Sequence, residues 1–179
     1  RDIEDQQKDS SEKTSDECQE LRSVAEECSE GIDRIGGIVD RMRRFSRMRP
    51  DELSAIDINE VLADALKMSR LRGDASITLL YQPDVSLPRV RASHGHIVQL
   101  LLNLCSNARQ AVDGIAQPTV EIETRVCETD VLVRIRDNGP GIPSRIRGRI
   151  FDPFFTTKPP GEGTGLGLPI AYGIAREHG

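Results

Sequence analysis

At Pro50 this chain changes texture, and the two sides of that break cannot belong to one structural element. Upstream, Leu21, Cys28, Ile35 and Met42 recur every seven residues, and Val24, Gly31, Ile38 and Phe45 fill the companion seam. That repeat specifies an amphipathic helix. Ile32 and Val39 widen the stripe to the width of a helix facing a bundle, while Arg34, Arg41, Arg43, Arg44 and Arg47 occupy the other side. Gly31, Gly36 and Gly37 each weaken such a helix by about 1 kcal/mol relative to alanine and mark a bend or a close neighbour. Pro50 ends the run. One helix cannot bury its own stripe, so it needs a partner segment, a second copy, or both. Periodicity alone leaves a generic linker helix open as the alternative.

Ahead of this helix, residues 1–20 are almost wholly polar, with almost no apolar side chain to bury, so they read as a mobile linker or frayed helix start. With 179 residues, the chain has room for one ordinary domain plus something smaller. A net charge of -5 argues against general affinity for nucleic acid or anionic lipid. Cys18, Cys28, Cys105 and Cys127 form no CxxC and have no histidine at ligand spacing. They read as buried or half-buried thiols in a reducing compartment, not as a disulfide framework or a zinc site. No apolar run approaches the ~18 residues of a membrane span, and no signal peptide opens the chain. The expectation is a cytoplasmic segment, compatible with a parent protein anchored in the inner membrane upstream.

After Pro50 helix and strand patterns mix. Ile58, Val61, Leu62, Ala65 and Leu66 have helical spacing, with Asp57 or Asn59 available as cap. Residues 77–81 read as a strand. Ser93 is placed to cap a helix from His94 to about Val112, with Leu100, Leu101, Leu104 and Ala111 on its buried side. Residues 119–126 and 131–136 read as strands around a turn at 128–130, and an apolar helix runs from about Leu166 to His178.

Three segments carry chemistry. Asn103 and Asn107 lie four apart, hence on one helix face, where neutral amide oxygens suit a hard cation that also binds phosphate. Asparagine pairs at this spacing are common, so the pair decides little alone. Asp137-Asn-Gly139-Pro-Gly141 follows a strand directly. Its glycines let the backbone approach a flat ligand, and its carboxylate can accept a hydrogen bond from an exocyclic amine such as that of adenine. A plain turn is the competing reading. Gly161, Gly163, Gly165 and Gly167 alternate into a helix and offer backbone N–H groups and a positive helix end to phosphates. No GK[ST] follows and no βαβ unit opens there, so this is neither a Walker loop nor a dinucleotide fingerprint. Between these segments, residues 151–158 hold three of the four phenylalanines, as a hinged lid with an apolar anchor would.

In this order the segments resemble the N box, the first glycine box, the F box and the second glycine box of the GHKL superfamily of gyrase-, MutL- and histidine-kinase-type ATP-binding domains. The helix over 21–50 is similar to the second helix of the dimerisation and phosphotransfer domain of sensor histidine kinases. The resemblance covers roughly residues 21–179. It implies an α+β fold, a two-layer sandwich of helices on a mixed sheet (Bergerat type) over residues 55–179, preceded by a long helix from a dimeric four-helix bundle. It implies Mg2+ held by Asn107 with Asn103, and adenine read by Asp137 beside Gly139 and Gly141. It implies phosphates received by Gly163, Thr164, Gly165, Leu166, Gly167 and Leu168, and a lid bearing Phe151 and Phe154. Lys158 is a candidate for a charge closing over the phosphates.

In the hydrolytic branches a water-activating glutamate stands four residues before the metal-binding asparagine. Here that residue is Asn103, an amide without useful basicity. The resemblance therefore implies a histidine kinase that holds Mg-ATP for an incoming imidazole and serves a homodimer and a response-regulator receiver domain. The family's acceptor histidine sits in a His-Glu or His-Asp context. His94, His96 and His178 do not match it and read as surface or capping residues, so the acceptor is expected on a helix upstream, and further strands beyond Gly179. The alternatives are a GHKL ATPase, a serine-directed kinase of the same fold, or an inactive nucleotide-sensing dimerisation module.

Overall fold

The computed structural model describes Gly31, residues 53–159 and residues 163–178. Gly31 is helical. The polar segment 1–20 and the rest of the amphipathic run 21–50 lie outside the described residues. The remaining described elements all fall in one compact unit, Met48–Gly179.

That unit begins with β1 (Ser54–Ile56) and α1 (Ile58–Met68). Of the two capping candidates, Asp57 takes the role, its side chain accepting from Asn59 N at 2.9 Å and Glu60 N at 3.3 Å. Ile58, Val61, Leu62, Ala65 and Leu66 are all buried, as their spacing dictates. After the helix, Arg70 adopts a left-handed conformation (φ 58°) and the chain turns so that Leu71 is buried as well.

β2 (Thr78–Gln82) runs parallel to β4 (Thr119–Cys127), which pairs antiparallel with β5 (Asp130–Asp137) in a sheet of order β2-β4-β5. On β4 the alternation is clean. Val120, Ile122 and Thr124 point into the core, while Glu121 and Glu123 face out and meet Arg136 and Arg134 of β5 at 3.9 and 2.9 Å. Being largely exposed, these ion pairs add little stability and mainly favour this register. A separate two-stranded pairing joins β1 to β3 (Val90–Ala92). Neither three-residue strand is long enough for period-two alternation to show in sequence.

α2 (His94–Ala111) is capped by Ser93, whose Oγ accepts from His96 N at 3.3 Å. Its most buried line is Leu101, Cys105, Ala108 and then Val112. Leu100, Leu104 and Ala111, expected on that line, are only partly buried. The rotation has two causes. Cys105 behaves as a small apolar side chain at the centre of the core, and α2 is covered from a second direction by α3 (Gly167–His178). Leu166, Ile170 and Ile174 form a satellite cluster against Ile97 and Leu100. The main core joins α1, α2 and the inner sheet face, giving two layers of helix on sheet.

Polar closure of the core comes from Thr124. Its buried hydroxyl donates to Asn59 Oδ1 at 2.9 Å and accepts from Asp84 N at 3.0 Å, while Asn59 Nδ2 donates to Asp84 O at 2.8 Å. This ring ties the start of α1, the loop after β2 and the middle of β4 together. Of the two described cysteines, Cys105 is buried as expected, whereas Cys127, at the β4–β5 turn, is exposed. No helix among the described residues is long and apolar enough to cross a membrane.

Candidate functional site

The sequence motifs converge on the C-terminal half of α2. On its outward face, Asn103 Nδ2 donates to the carbonyl of Gly167, the first residue of α3, at 3.1 Å. The Asn103 oxygen in turn accepts from Gln99 Nε2 at 3.0 Å. The Asn107 side chain, one turn on, makes no hydrogen bond among the described residues. Its Nδ2 lies 3.9 Å from the point where a Cβ on Gly167 would sit. Both amides therefore face the start of α3, with Asn103 tethered at both ends and Asn107 available.

At the end of β5, Asp137 Oδ1 accepts the backbone N–H of Gly139 at 3.0 Å. One carboxylate oxygen is thus fixed, which orients the other. Gly139 is required by space: a Cβ there would fall 2.9 Å from the Ala111 carbonyl carbon and overlap its oxygen. The loop after β5 consequently presses directly against the end of α2. Asn138 holds the other side of this corner, accepting from Thr119 N and donating to Gln117 O, each at 2.8 Å. Gly141, exposed with φ 71°, turns the chain away into a short 3-10 helix (Ser144–Arg149) that no sequence pattern announced.

The lid segment then returns towards α3. Phe154 N donates to Gly165 O at 3.0 Å, and both residues have left-handed backbones, φ 67° and 63°. A Cβ on Gly165 would stand 2.7 Å from Phe154 Cα, so only glycine fits. The aromatic side chains themselves are not anchors. Phe154 is 57% exposed and Phe151 45%, the latter lying on the exposed Tyr172 ring at 4.9 Å. Backbone contact, rather than ring burial, closes the F-box segment onto the second glycine box. Gly163 lies against Thr156 and Lys158. Thr164 and Leu168 are half-buried, and Leu166 is buried on α2. Lys158 Nζ donates to Gln110 Oε1, joining the lid to α2 one turn beyond Asn107.

Four neighbouring positions of one helix, Asn103, Asn107, Gln110 and Ala111, thus touch or face the start of α3, the lid and the loop after β5. Gln99 and Gln110 escaped the sequence reading, although each lies three or four residues from an N-box asparagine. Beneath the site, burial pushes the Cys105 thiol up to about 12, so it stays protonated and inert.

This constellation has known counterparts. The family described as histidine kinase-, DNA gyrase B-, and HSP90-like ATPase matches residues 92–179, the span from the Ser93 cap through α3. The crystallised catalytic domain of histidine kinase ThkA superposes with a TM-score of 0.62 at 31% identity, over 72% of this chain and 82% of that one. The chain belongs to this family. It contains the GHKL ATP-binding catalytic domain of a histidine kinase.

The sensory histidine kinase/phosphatase NtrB of Azospirillum brasilense is 35% identical over 166 residues, 85% of this chain and 40% of that protein. The chain spans under half the length of such curated relatives. A full-length ShkA in complex with AMPPNP matches with a TM-score of 0.65 at 26% identity, over 80% of this chain and 31% of that one. ThkA in complex with the response regulator protein TrrA matches with a TM-score of 0.66 at 26% identity, over 84% and 42%. The histidine-kinase catalytic domain is therefore a two-layer α+β body whose motif residues gather around the end of α2.

Proposed function

We propose that this catalytic domain delivers the γ-phosphoryl group of Mg-ATP to a histidine on an upstream helix of its parent protein, for relay to an aspartate of a response regulator. The carrying observation is Asn103. At the position where a hydrolytic site needs a base, the chain has an amide whose nitrogen is committed to Gly167 O and whose oxygen is committed to Gln99. Neither atom can take a proton from water near neutral pH. Bound nucleotide is thereby preserved for a nucleophile brought from elsewhere.

The residues fit the nucleotide. Asp137 is oriented by Gly139 N–H with Oδ2 left to accept from the adenine amine. The loop from Gly163 to Leu168 leads its backbone N–H groups into the N-terminus of α3, where phosphate is favoured. A bound magnesium ion would supply neutralisation of the charge on the phosphate oxygens. Asn107, whose side chain has no hydrogen bond among the described residues, fits as its protein ligand, and Asn103 fits as the brace that holds α3 beside it. Lys158 and Gln110 fit as the latch between lid and α2.

The AMPPNP complex of ShkA supports the nucleotide assignment and the TrrA complex of ThkA supports a receiver-domain partner. Dimerisation belongs, in this proposal, to the stripe in residues 21–50. His94, His96 and His178 sit at the outer ends of α2 and α3 and do not serve as acceptors.

The test is incubation with Mg-ATP labelled at the γ-phosphate together with the upstream histidine-bearing helix of the parent. The expected product is acid-labile, base-stable phosphate on that helix. Label confined to this chain, or steady ATP turnover without label on the helix, contradicts the proposal.

A further inference from the structure

At the far end of α2 from the nucleotide motifs, the docking of α3 assembles a second polar cluster. We propose that His96, Glu177 and His178 bind a zinc ion as a clip between the first turn of α2 and the last turn of α3. One potential ligand atom from each lies within 4.8 Å of those of the other two. The apolar contact of Leu166, Ile170 and Ile174 with Ile97 and Leu100 produces this meeting. No sequence spacing announces it, because the contributing segments are far apart in the chain.

Three observations favour a metal over an incidental contact. First, His96 Nδ1 is buried and has no hydrogen-bond partner among the described residues. Glu177 Oε2 stands 3.5 Å from it without hydrogen-bond geometry. A buried ring nitrogen left this way is costly unless something occupies it. Second, bonds of about 2.0–2.2 Å in a tetrahedral set place ligand atoms roughly 3.3–3.6 Å apart, which the His96–Glu177 pair already satisfies.

Third, His178 is held as a neutral ring in one orientation. Nδ1 lies 2.9 Å from Ile174 O, to which only a protonated nitrogen can bond, and Nε2 accepts from Ser93 N at 3.2 Å. An imidazole that gives its Nδ1–H to a backbone carbonyl and presents a lone pair at Nε2 is the usual second-shell arrangement of a metal-binding histidine. On binding, zinc takes the place of the Ser93 N–H at Nε2, and the buried Ser93 N–H gives up that bond, a cost the three metal bonds must outweigh. Two imidazoles and a carboxylate suit zinc, with water in the fourth position.

The clip lies about 16 Å along α2 from Asn107 and is separate from the nucleotide residues. Its effect on them runs through α3, whose first residue is held by Asn103.

The test is calorimetric titration of the full chain with ZnCl2 and optical titration with CoCl2, without nucleotide. The expected result is one ion per chain and visible cobalt bands lacking the near-ultraviolet charge-transfer band of a cysteine ligand. His96→Gln and Glu177→Gln are each expected to lower zinc affinity at least tenfold. His94→Gln, at an exposed position outside the cluster, leaves it unchanged. Circular dichroism confirms that the variants fold, and the half-exposed Glu177 gives a substitution that does not disturb packing. Absence of zinc uptake, undiminished uptake in His96→Gln, or a cobalt thiolate band each overturns the proposal. None of these readouts depends on ATP binding, so their failure leaves the proposed kinase function untouched.

Discussion

Asn103 of α2 and Gly167 of α3 are joined by one side-chain hydrogen bond of 3.1 Å, and that bond sets where the second glycine box meets the N-box face. The same amide is steadied from behind by Gln99. Removing it in Asn103→Ala leaves the apolar docking of α3 in place but frees its first turn. The expected cost is about 1 kcal/mol of stability, read by urea denaturation, with a larger proportional loss in nucleotide affinity. Unchanged nucleotide affinity would show that the tether does not position the site.

Gly139→Ala is expected to be severe for a single methyl group. The added Cβ overlaps the Ala111 carbonyl, and backbone on both sides must move. Overpacking of this kind costs about 1–3 kcal/mol. Gly148→Ala, where nothing lies within 4 Å, is the matched control and should be close to neutral. Equal melting temperatures for the two variants would contradict the close approach.

Thr124→Val keeps the shape of the core but removes its polar hub. Asp84 N–H and Asn59 Oδ1 both lose a partner, so the expected loss is about 1–3 kcal/mol. A neutral outcome in denaturant titration would mean that water enters and satisfies both groups.

The Cys105 thiol makes a pH prediction whose sign is fixed. Its folded value is raised to about 12, above the ordinary thiol value, so deprotonation favours the unfolded chain. Its contribution is whole below about pH 8.5 and declines between there and about pH 12, by up to about 1.4 kcal/mol per pH unit. Tyr81, raised by burial, acts in the same direction. Subtracting the pH profile of Cys105→Ala isolates the thiol. The buried thiol should also resist alkylation in the folded protein while exposed Cys127 reacts, as peptide mapping would show.

What could be read from the sequence follows from the range of the forces involved. α1, α2, β4, β5 and α3 were legible because their apolar positions repeat within one element and the caps of α1 and α2, Asp57 and Ser93, act within a turn. The motif residues were legible through the order of the glycine boxes. Contacts made between elements were not. The Ala111–Gly139 approach, the Gln110–Lys158 latch and the Thr124 hub each join residues far apart in sequence. The lid shows the limit most plainly. A cluster of phenylalanines suggested an apolar anchor, whereas the attachment is a backbone bond between Phe154 and Gly165, with two aromatic rings left in solvent.

Asp137 is proposed to read adenine in the ATP site, and competitive binding of Mg-ATP and Mg-GTP checks that role. With Oδ1 fixed by Gly139 N–H, Oδ2 is left to accept from the amine of adenine, and the carbonyl of guanine meets the same carboxylate unfavourably. In Asp137→Asn the amide oxygen keeps the Gly139 bond and the NH2 group faces the base, opposing adenine and tolerating guanine. The wild-type chain is expected to prefer ATP by at least tenfold, a difference of about 1.4 kcal/mol. The variant is expected to lose ATP affinity by a similar factor and to abolish or reverse the preference. Equal affinity of wild type for both nucleotides, or an Asp137→Asn variant that binds ATP as tightly and as selectively, would contradict it.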